Sequence, residues 1–155
     1  LKGLVEVDES FVGKRRHHNQ QIILGAWSRI QRKAVLRCVF NRDQGTTDRF
    51  LLAHVNTKDT TVFTDSAWCY EGIDAFFGYE HETCNHSNFI FGATNLIENI
   101  CSRFKRFIIR TYHHTHKKWL PKLVREFEAR INTPELVENP LTYLQTCLVL
   151  APRAF

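Results

Sequence analysis

The chain has 155 residues, of which 43% are hydrophobic and 24% are charged. This length and composition predict one globular domain with a single core. No run of apolar residues approaches the ~20 that a bilayer-spanning helix needs, so the sequence predicts no membrane partner. The formal net charge is +5, which favours an acidic partner such as a phosphate backbone.

Three β-rich runs open the chain, at residues 5–12, 21–28 and 34–40. The second and third are separated by only five residues, which is short enough for a hairpin connection. We therefore predict that these runs form a three-stranded antiparallel meander.

Helices and strands then alternate along the chain. Thr47 or Asp48 is the predicted cap of a helix that ends near residue 55. A β-branched strand over 60–64, a short helix over 70–77 and a strand over 79–83 follow. Helical spacing of apolar residues then predicts three helices, over 95–112, 119–131 and 141–150. This order predicts an α/β fold, a mixed sheet of the meander plus parallel strands flanked by helices.

Basic residues are clustered rather than evenly spread. The clusters are Lys14, Arg15 and Arg16 followed by two histidines; Arg103, Lys105, Arg106 and Arg110; and Lys117 with Lys118. Such stripes suit a phosphate backbone, although a solvated basic surface would have the same composition.

The five cysteines are widely spaced, with no C-x-x-C pair, which predicts buried thiols rather than a disulfide framework. A zinc site near Cys84 and His86, with His81 close by, remains an alternative interpretation.

Three acidic residues occupy positions that suit metal chemistry. Asp8 lies within the first strand, Asp65 follows a buried-looking strand, and Glu98 lies near the start of the helix over 95–112. Ligands favour the carboxyl ends of strands in open α/β sheets. Two strand-borne aspartates and a helix-borne glutamate could hold two Mg²⁺ ions for phosphodiester chemistry. Each residue alone could equally be a turn, cap or helix-dipole residue.

Four segments, in order, resemble one family of transposases. Residues 5–14 (VEVDESFVGK) resemble E-x-D-E-S/T-x-x-G-K/R, and 64–70 (TDSAWCY) resemble T-D-x-x-x-x-Y. Residues 79–87 (YEHETCNHS) resemble Y-x-H-x-x-V-N-H-S, and 94–98 (TNLIE), with Lys105 and Arg106, resemble T-N-x-I-E followed by K-R. The chain thus resembles the DDE transposases of the insertion-sequence branch related to eukaryotic Merlin elements, the ISXO2-like transposase domain.

The resemblance implies a ribonuclease-H-like fold and a function in DNA cleavage and strand transfer with two Mg²⁺ or Mn²⁺ ions. Asp8, Asp65 and Glu98 would be the metal-binding triad, with Asn95 as a further polar group at the site. The residues expected to contact DNA are Lys105, Arg106, Arg103, Lys14, Arg15, Arg16 and His86.

Partners and context follow from the same resemblance. We expect DNA, as transposon ends and target, and a homo-oligomer, in the bacterial nucleoid or the eukaryotic nucleus. Residues 1–155, which contain no methionine, are expected to be the catalytic part of a longer protein with an N-terminal DNA-binding module.

Two departures from the family pattern leave alternatives open. The segment 88–93 is short, and Ala93 stands where the family has a histidine. A catalytically inactive or domesticated DNA-binding module is therefore a second interpretation. A cellular nuclease acting on RNA–DNA hybrids is a third.

Overall fold

A five-stranded mixed sheet forms the centre of the molecule. The computed structural model describes residues 1–13, 20–65, 67–84, 94–113, 115–142 and 144–145. The strands are β1 (Gly3–Val12), β2 (Gln21–Ser28), β3 (Lys33–Val39), β4 (Thr60–Asp65) and β5 (Glu80–Cys84). Their spatial order is β3-β2-β1-β4-β5. The first three pair antiparallel, and β4 runs parallel to both β1 and β5. The predicted meander with added parallel strands is confirmed.

Helices cover both faces of this sheet. They are α1 (Gln44–His54), α2 (Ile73–Phe77), α3 (Asn95–Tyr112), α4 (Leu120–Asn132) and the single-turn α5 (Glu135–Glu138). In the described part of the chain, no helix combines the length and the apolar composition needed to span a membrane.

Three details differ from the sequence predictions. The predicted caps of α1 were wrong: the helix begins at Gln44, and Asp43 caps it by accepting a hydrogen bond from the backbone N–H of Thr46 at 2.8 Å. The helix predicted over 70–77 is a 3₁₀ turn, Trp68–Tyr70, followed by α2. The helix predicted over 141–150 falls mostly outside the described residues, and α5 before it was not predicted.

The sheet separates two apolar clusters. On one face, Val5 and Val7 of β1 pack with α1 and with the buried ring of Tyr70. On the other face, Ile23 and Leu36 pack against α3 and α4. Because side chains alternate along a strand, Glu6, Asp8 and Ser10 of β1 face the α3 side.

Gly25 of β2 pairs with Asp8 of β1 in the antiparallel ladder. Because Gly25 has no side chain, α3 can lie close to the sheet at this point. A Cβ atom added at Gly25 would lie 2.9 Å from the Ile97 Cδ1 and the Leu36 Cδ2 atoms. The absence of a side chain at this position therefore brings the first turns of α3 near the strand that carries Asp8.

Side chains of α4 bind the exposed edge of β3. The Asn132 Oδ1 atom accepts from the Ala34 N–H at 2.7 Å, and its Nδ2 donates to the Ala34 carbonyl at 2.8 Å. Glu128 accepts from the Leu36 N–H at 2.7 Å. These bonds occupy edge groups that would otherwise be free to pair with another strand.

Candidate metal and DNA site

Two strand-borne aspartates lie side by side on the neighbouring central strands β1 and β4. In the parallel register of these strands, Glu6 pairs with Phe63. Continuing that register by two residues aligns Asp8 with Asp65, the last residue of β4. Asp8 and Asp65 are 57 residues apart in sequence, so only this strand pairing brings them together.

Asp8, Glu9 and Asp65 form an acidic cluster. One carboxylate oxygen from each lies within 4.8 Å of the other two, and none of the three residues is fully buried or fully exposed. The pKa of Asp8 is raised to about 7, chiefly by burial and also by the negative charges of Glu9 and Asp65. The Glu9 N–H, which donates to the Asp8 Oδ1 atom at 2.8 Å, opposes this rise. The cluster thus concentrates negative charge where solvent screens it poorly.

Glu9 is a member of this cluster that the sequence analysis missed. Arg42 forms an ion pair with its Oε1 atom, and the Tyr70 hydroxyl donates to its Oε2 atom at 2.9 Å. Its side chain is only 4% exposed. Adjacent residues of a strand normally point to opposite faces, which is why the sequence did not place Glu9 beside Asp8. Its position in the E-x-D-E motif was the available signal.

Glu98 and Asn95 lie on the first turn of α3, and both are exposed. The Thr94 hydroxyl donates to the Glu98 Oε1 atom at 3.0 Å. Glu98 is not among the three residues whose ligand atoms lie within 4.8 Å of one another. Its charge nevertheless contributes to the raised pKa of Asp8. The structure therefore places Glu98 on the Asp8 side of the sheet, outside the tightest cluster.

Glu6 links the strand of Asp8 to the helix of Glu98, a role that the sequence did not predict. Its carboxylate is fully buried. The Oε2 atom accepts from the backbone N–H groups of Leu96 at 2.8 Å and Ile97 at 2.9 Å, and the Oε1 atom accepts from the Arg29 Nε at 2.7 Å. No local sequence pattern reports this contact, because it joins residues 90 positions apart.

Basic residues of α3 lie on its solvent side. Arg103, Lys105 and Arg106 are all exposed. Cys101, buried between α3 and the sheet, has a pKa raised to about 12, chiefly by burial; the charges of Asp8 and Glu98 contribute to the rise and that of Lys105 opposes it. The charge of Lys105 therefore reaches the same part of the sheet as Asp8 and Glu98.

Several predicted residues lie outside the described residues. These are Lys14, Arg15, Arg16 and His86. The alternative zinc site also depends on His86 and on the Cys84 side chain, so it too falls outside them.

The donor set fits a hard divalent cation. Oxygen ligands from carboxylates are what Mg²⁺ and Mn²⁺ prefer, and Mg²⁺ typically uses one or two carboxylates together with water and phosphate oxygens. A cation between Asp8 and Asp65 would offset the repulsion that raises the pKa of Asp8. The Oδ1 atom of Asp65 accepts a hydrogen bond from the Ala67 N–H at 3.1 Å, which fixes the orientation of this carboxylate.

Solved structures with similar folds include catalytic cores of retroviral integrases. The BIV integrase catalytic core has a TM-score of 0.60 at 10% identity, over 83% of this chain and 82% of that one. A simian T-cell lymphotropic virus intasome has a TM-score of 0.60 at 10% identity, over 85% and 50%. The HTLV-2 integrase catalytic core in complex with magnesium has a TM-score of 0.56 at 8% identity, over 83% and 84%. These likenesses confirm the predicted ribonuclease-H-like fold.

Sequence comparison gives the family. No curated protein sequence matches the chain significantly. The model of the ISXO2-like transposase domain matches residues 1–132, a span that contains every strand of the sheet and all three acidic residues of the predicted triad. With its integrase-like fold and an acidic cluster shared by β1 and β4, the chain belongs to the ISXO2-like transposase domain family, as a DDE transposase catalytic core.

Proposed function

We propose that this chain cleaves DNA and joins it to a target during transposition, with Asp8, Asp65 and Glu98 holding two Mg²⁺ or Mn²⁺ ions. The observation that carries the proposal is the acidic cluster where β4 ends beside the middle of β1. Family membership gives the reaction class, and the cluster supplies the ligands that the reaction needs.

Each acidic residue has a distinct task in this proposal. Asp8 and Asp65 are fixed by a strand ladder, so their carboxylates can bind a cation with little reorganisation. Asp8 must lose its proton to bind, because its pKa is raised to about 7. Glu98 supplies a carboxylate from α3, and Asn95 on the same turn offers an amide for water or phosphate.

The reaction has two steps. In the first, a water molecule attacks the phosphorus of a phosphodiester, and the bond to the 3′ oxygen breaks to leave a 3′-hydroxyl. In the second, that hydroxyl attacks a target phosphodiester, loses its proton and displaces a target 3′-hydroxyl. Bound divalent ions would activate the attacking oxygen and stabilise the leaving one. The chain's own residues hold the phosphate and the attacking group in line.

Lys105, Arg103 and Arg106 are the proposed phosphate-binding residues on α3. All three are exposed on the helix that carries Glu98, and the net charge of +5 favours DNA. Lys14, Arg15, Arg16 and His86 remain proposed DNA contacts on the family resemblance alone. A DNA substrate would place the protein in the nucleoid or the nucleus.

We further propose that the chain acts as a homo-oligomer on transposon ends and target. The support is the family and the description of two similar structures as an intasome and a trimeric form. Sedimentation with and without DNA tests this point. A species that stays monomeric when bound to DNA ends would contradict it.

The activity is tested with an Asp65→Asn variant in a Mn²⁺-dependent nicking assay on labelled DNA. We expect nicking by the wild type and none by the variant. Asp59→Asn is the matched control, because Asp59 is exposed at the opposite end of β4 and has a φ of 55°, which asparagine adopts readily. Nicking that survives in Asp65→Asn would remove Asp65 from the mechanism.

The same assay separates the alternative of an inactive DNA-binding module. That module would bind DNA with strong salt dependence, would not change its binding with Mg²⁺, and would show no nicking in any variant. The short segment 88–93 and Ala93 are the sequence features that favour it. Wild-type nicking that depends on Asp65 excludes it.

A further inference from the structure

The N-terminus of α3 is capped from another part of the chain. Thr94 occupies the cap position, where a threonine side chain normally accepts a hydrogen bond from the second or third helical N–H. Here the Thr94 side chain makes no such bond. The N–H groups of Leu96 and Ile97 are bound by Glu6 instead. A carboxylate of β1 therefore replaces the local cap of α3.

The Thr94 hydroxyl contacts Glu98 and not the backbone of the helix. That hydroxyl donates to the Glu98 Oε1 atom at 3.0 Å. Thr94 is itself 1% exposed, so the donor is fixed in place. The first turn of α3 thus has two linked contacts: Glu6 holds its backbone, and Thr94 orients the Glu98 carboxylate.

Glu6 and Asp8 lie two residues apart on one strand and face the same side of the sheet. That spacing corresponds to about 6.7 Å along the strand. A group that holds α3 against Glu6 therefore also sets the distance from Glu98 to Asp8. Neighbouring contacts hold Glu6 itself, because Arg29 pairs with its other oxygen and lies 4.9 Å from the centre of the Phe63 ring.

We propose that Glu6 is a positioning residue: its buried carboxylate caps α3 from β1 and thereby sets Glu98 at the distance from Asp8 that metal binding requires. The metal part of this proposal rests on the proposed function. Glu6 does not ligate a cation, because both of its oxygens are bound by other groups. What matters is the reach of its carboxylate to two backbone amides.

Two substitutions distinguish the effect of the length of the Glu6 side chain from the effect of its charge. Glu6→Asp keeps the negative charge, and the partly exposed Arg29 can follow it, but the side chain is one methylene too short for the amides of α3. Glu6→Gln keeps the reach and an acceptor oxygen for both amides but loses the charge. A residue that matters only as the partner of Arg29 would tolerate aspartate and not glutamine. A positioning residue gives the reverse order.

The first measurement is the rate of backbone hydrogen exchange at Leu96 and Ile97, monitored by NMR in the full chain without metal. In a helix capped locally or by water, one of these amides would exchange rapidly. We expect both to be protected in the wild type and in Glu6→Gln. In Glu6→Asp we expect exchange at least about tenfold faster, which is the loss of roughly one hydrogen bond. Unchanged protection in Glu6→Asp would overturn the capping role.

The second measurement is Mn²⁺ affinity in a double-mutant cycle with Glu98→Gln. Loss of one ligand is expected to weaken Mn²⁺ binding about tenfold, and Glu6→Asp should have a similar effect. The double variant should bind Mn²⁺ as tightly as Glu98→Gln alone, within about twofold, because both changes act through the Glu98 carboxylate. Independent, additive losses would overturn the proposal, as would an unchanged affinity in Glu6→Asp.

A stability control excludes a general loss of structure. Val55→Ala removes packing from the opposite face of the sheet, and it should leave both the Mn²⁺ affinity and the exchange at Leu96 unchanged. Should Glu98→Gln itself leave Mn²⁺ affinity unchanged, the proposed triad fails. Exchange in Glu6→Asp then still decides whether Glu6 holds α3.

Discussion

Replacing Asp8 by asparagine should stabilise the metal-free protein at pH 8. Asp8 has a pKa of about 7 in the folded protein, against an ordinary value of 3.8. At pH 8 the carboxylate is ionised in both the folded and the unfolded states, so the folded state carries the full penalty of burying that charge. Asparagine removes the charge and keeps an oxygen that can accept from the Glu9 N–H.

The size of the effect follows from the difference between the two pKa values. That difference corresponds to roughly 4 kcal/mol of unfolding free energy as an upper limit. Asp8 is half-buried and the cluster can relax, so we expect a gain of roughly 2–3 kcal/mol. For a chain of this size, the midpoint of thermal unfolding should rise by roughly 5–10 °C. The gain should shrink towards pH 5, where the folded protein holds Asp8 in its neutral form.

Thermal and urea unfolding of the metal-free chain, with chelator present, measure this gain. Asp74→Asn is the matched control, because Asp74 makes the same 2.8 Å bond to the next backbone N–H but is exposed. We expect that control to change stability by only a few tenths of a kcal/mol. Added Mn²⁺ should then stabilise the wild type and not Asp8→Asn. A destabilised or unchanged Asp8→Asn variant at pH 8 would refute the electrostatic account of the cluster.

Three further predictions concern pH and packing. Without metal, the contribution of Asp8 should make the wild type lose roughly 1–2 kcal/mol of stability between pH 5 and pH 8, because the unfolded carboxyl is already ionised at pH 5 and the folded one ionises near pH 7. A urea series in which the wild type and Asp8→Asn respond equally to pH would contradict this. Asn132→Ala should lower the unfolding free energy by about 2 kcal/mol by removing both bonds to Ala34, and an unchanged urea midpoint would show that these bonds do not stabilise the edge. Tyr70→Phe should lower the unfolding free energy by about 1–2 kcal/mol, because Glu9 loses a buried hydrogen-bond donor. A variant with the same urea midpoint as the wild type would contradict this.

Much of the fold could be predicted from periodicity. The meander, the parallel strand ending at Asp65 and the long helix from Asn95 each show a hydrophobic period that matches their structure. The cap of α1 was misplaced because Asp43, Thr47 and Asp48 are all residue types that cap helices. Only the backbone path shows that Asp43 is the one that accepts from Thr46.

Less of the candidate site than of the fold could be predicted from the sequence. Asp8 and Asp65 could be singled out because both lie in or at the end of a β-rich run. Glu6 and Glu9 were not singled out, although both stand in the E-x-D-E motif, because a glutamate within a strand usually indicates a solvent-facing position. Their roles depend on partners that are 90 and 61 residues away, respectively. Such contacts follow from the packing of α3 and the 3₁₀ turn on the sheet, which no local pattern encodes.

The central claim is that the acidic cluster where β4 ends beside the middle of β1 forms a metal site that carries out DNA cleavage. A crystal structure of the chain soaked with Mn²⁺, with anomalous difference maps, tests it most directly. We predict anomalous density between Asp8 and Asp65, within about 2.3 Å of a carboxylate oxygen of each, with Glu98 turned towards the same density. Saturating Mn²⁺ that leaves no density between Asp8 and Asp65, or density that persists unchanged in Asp65→Asn, would contradict it.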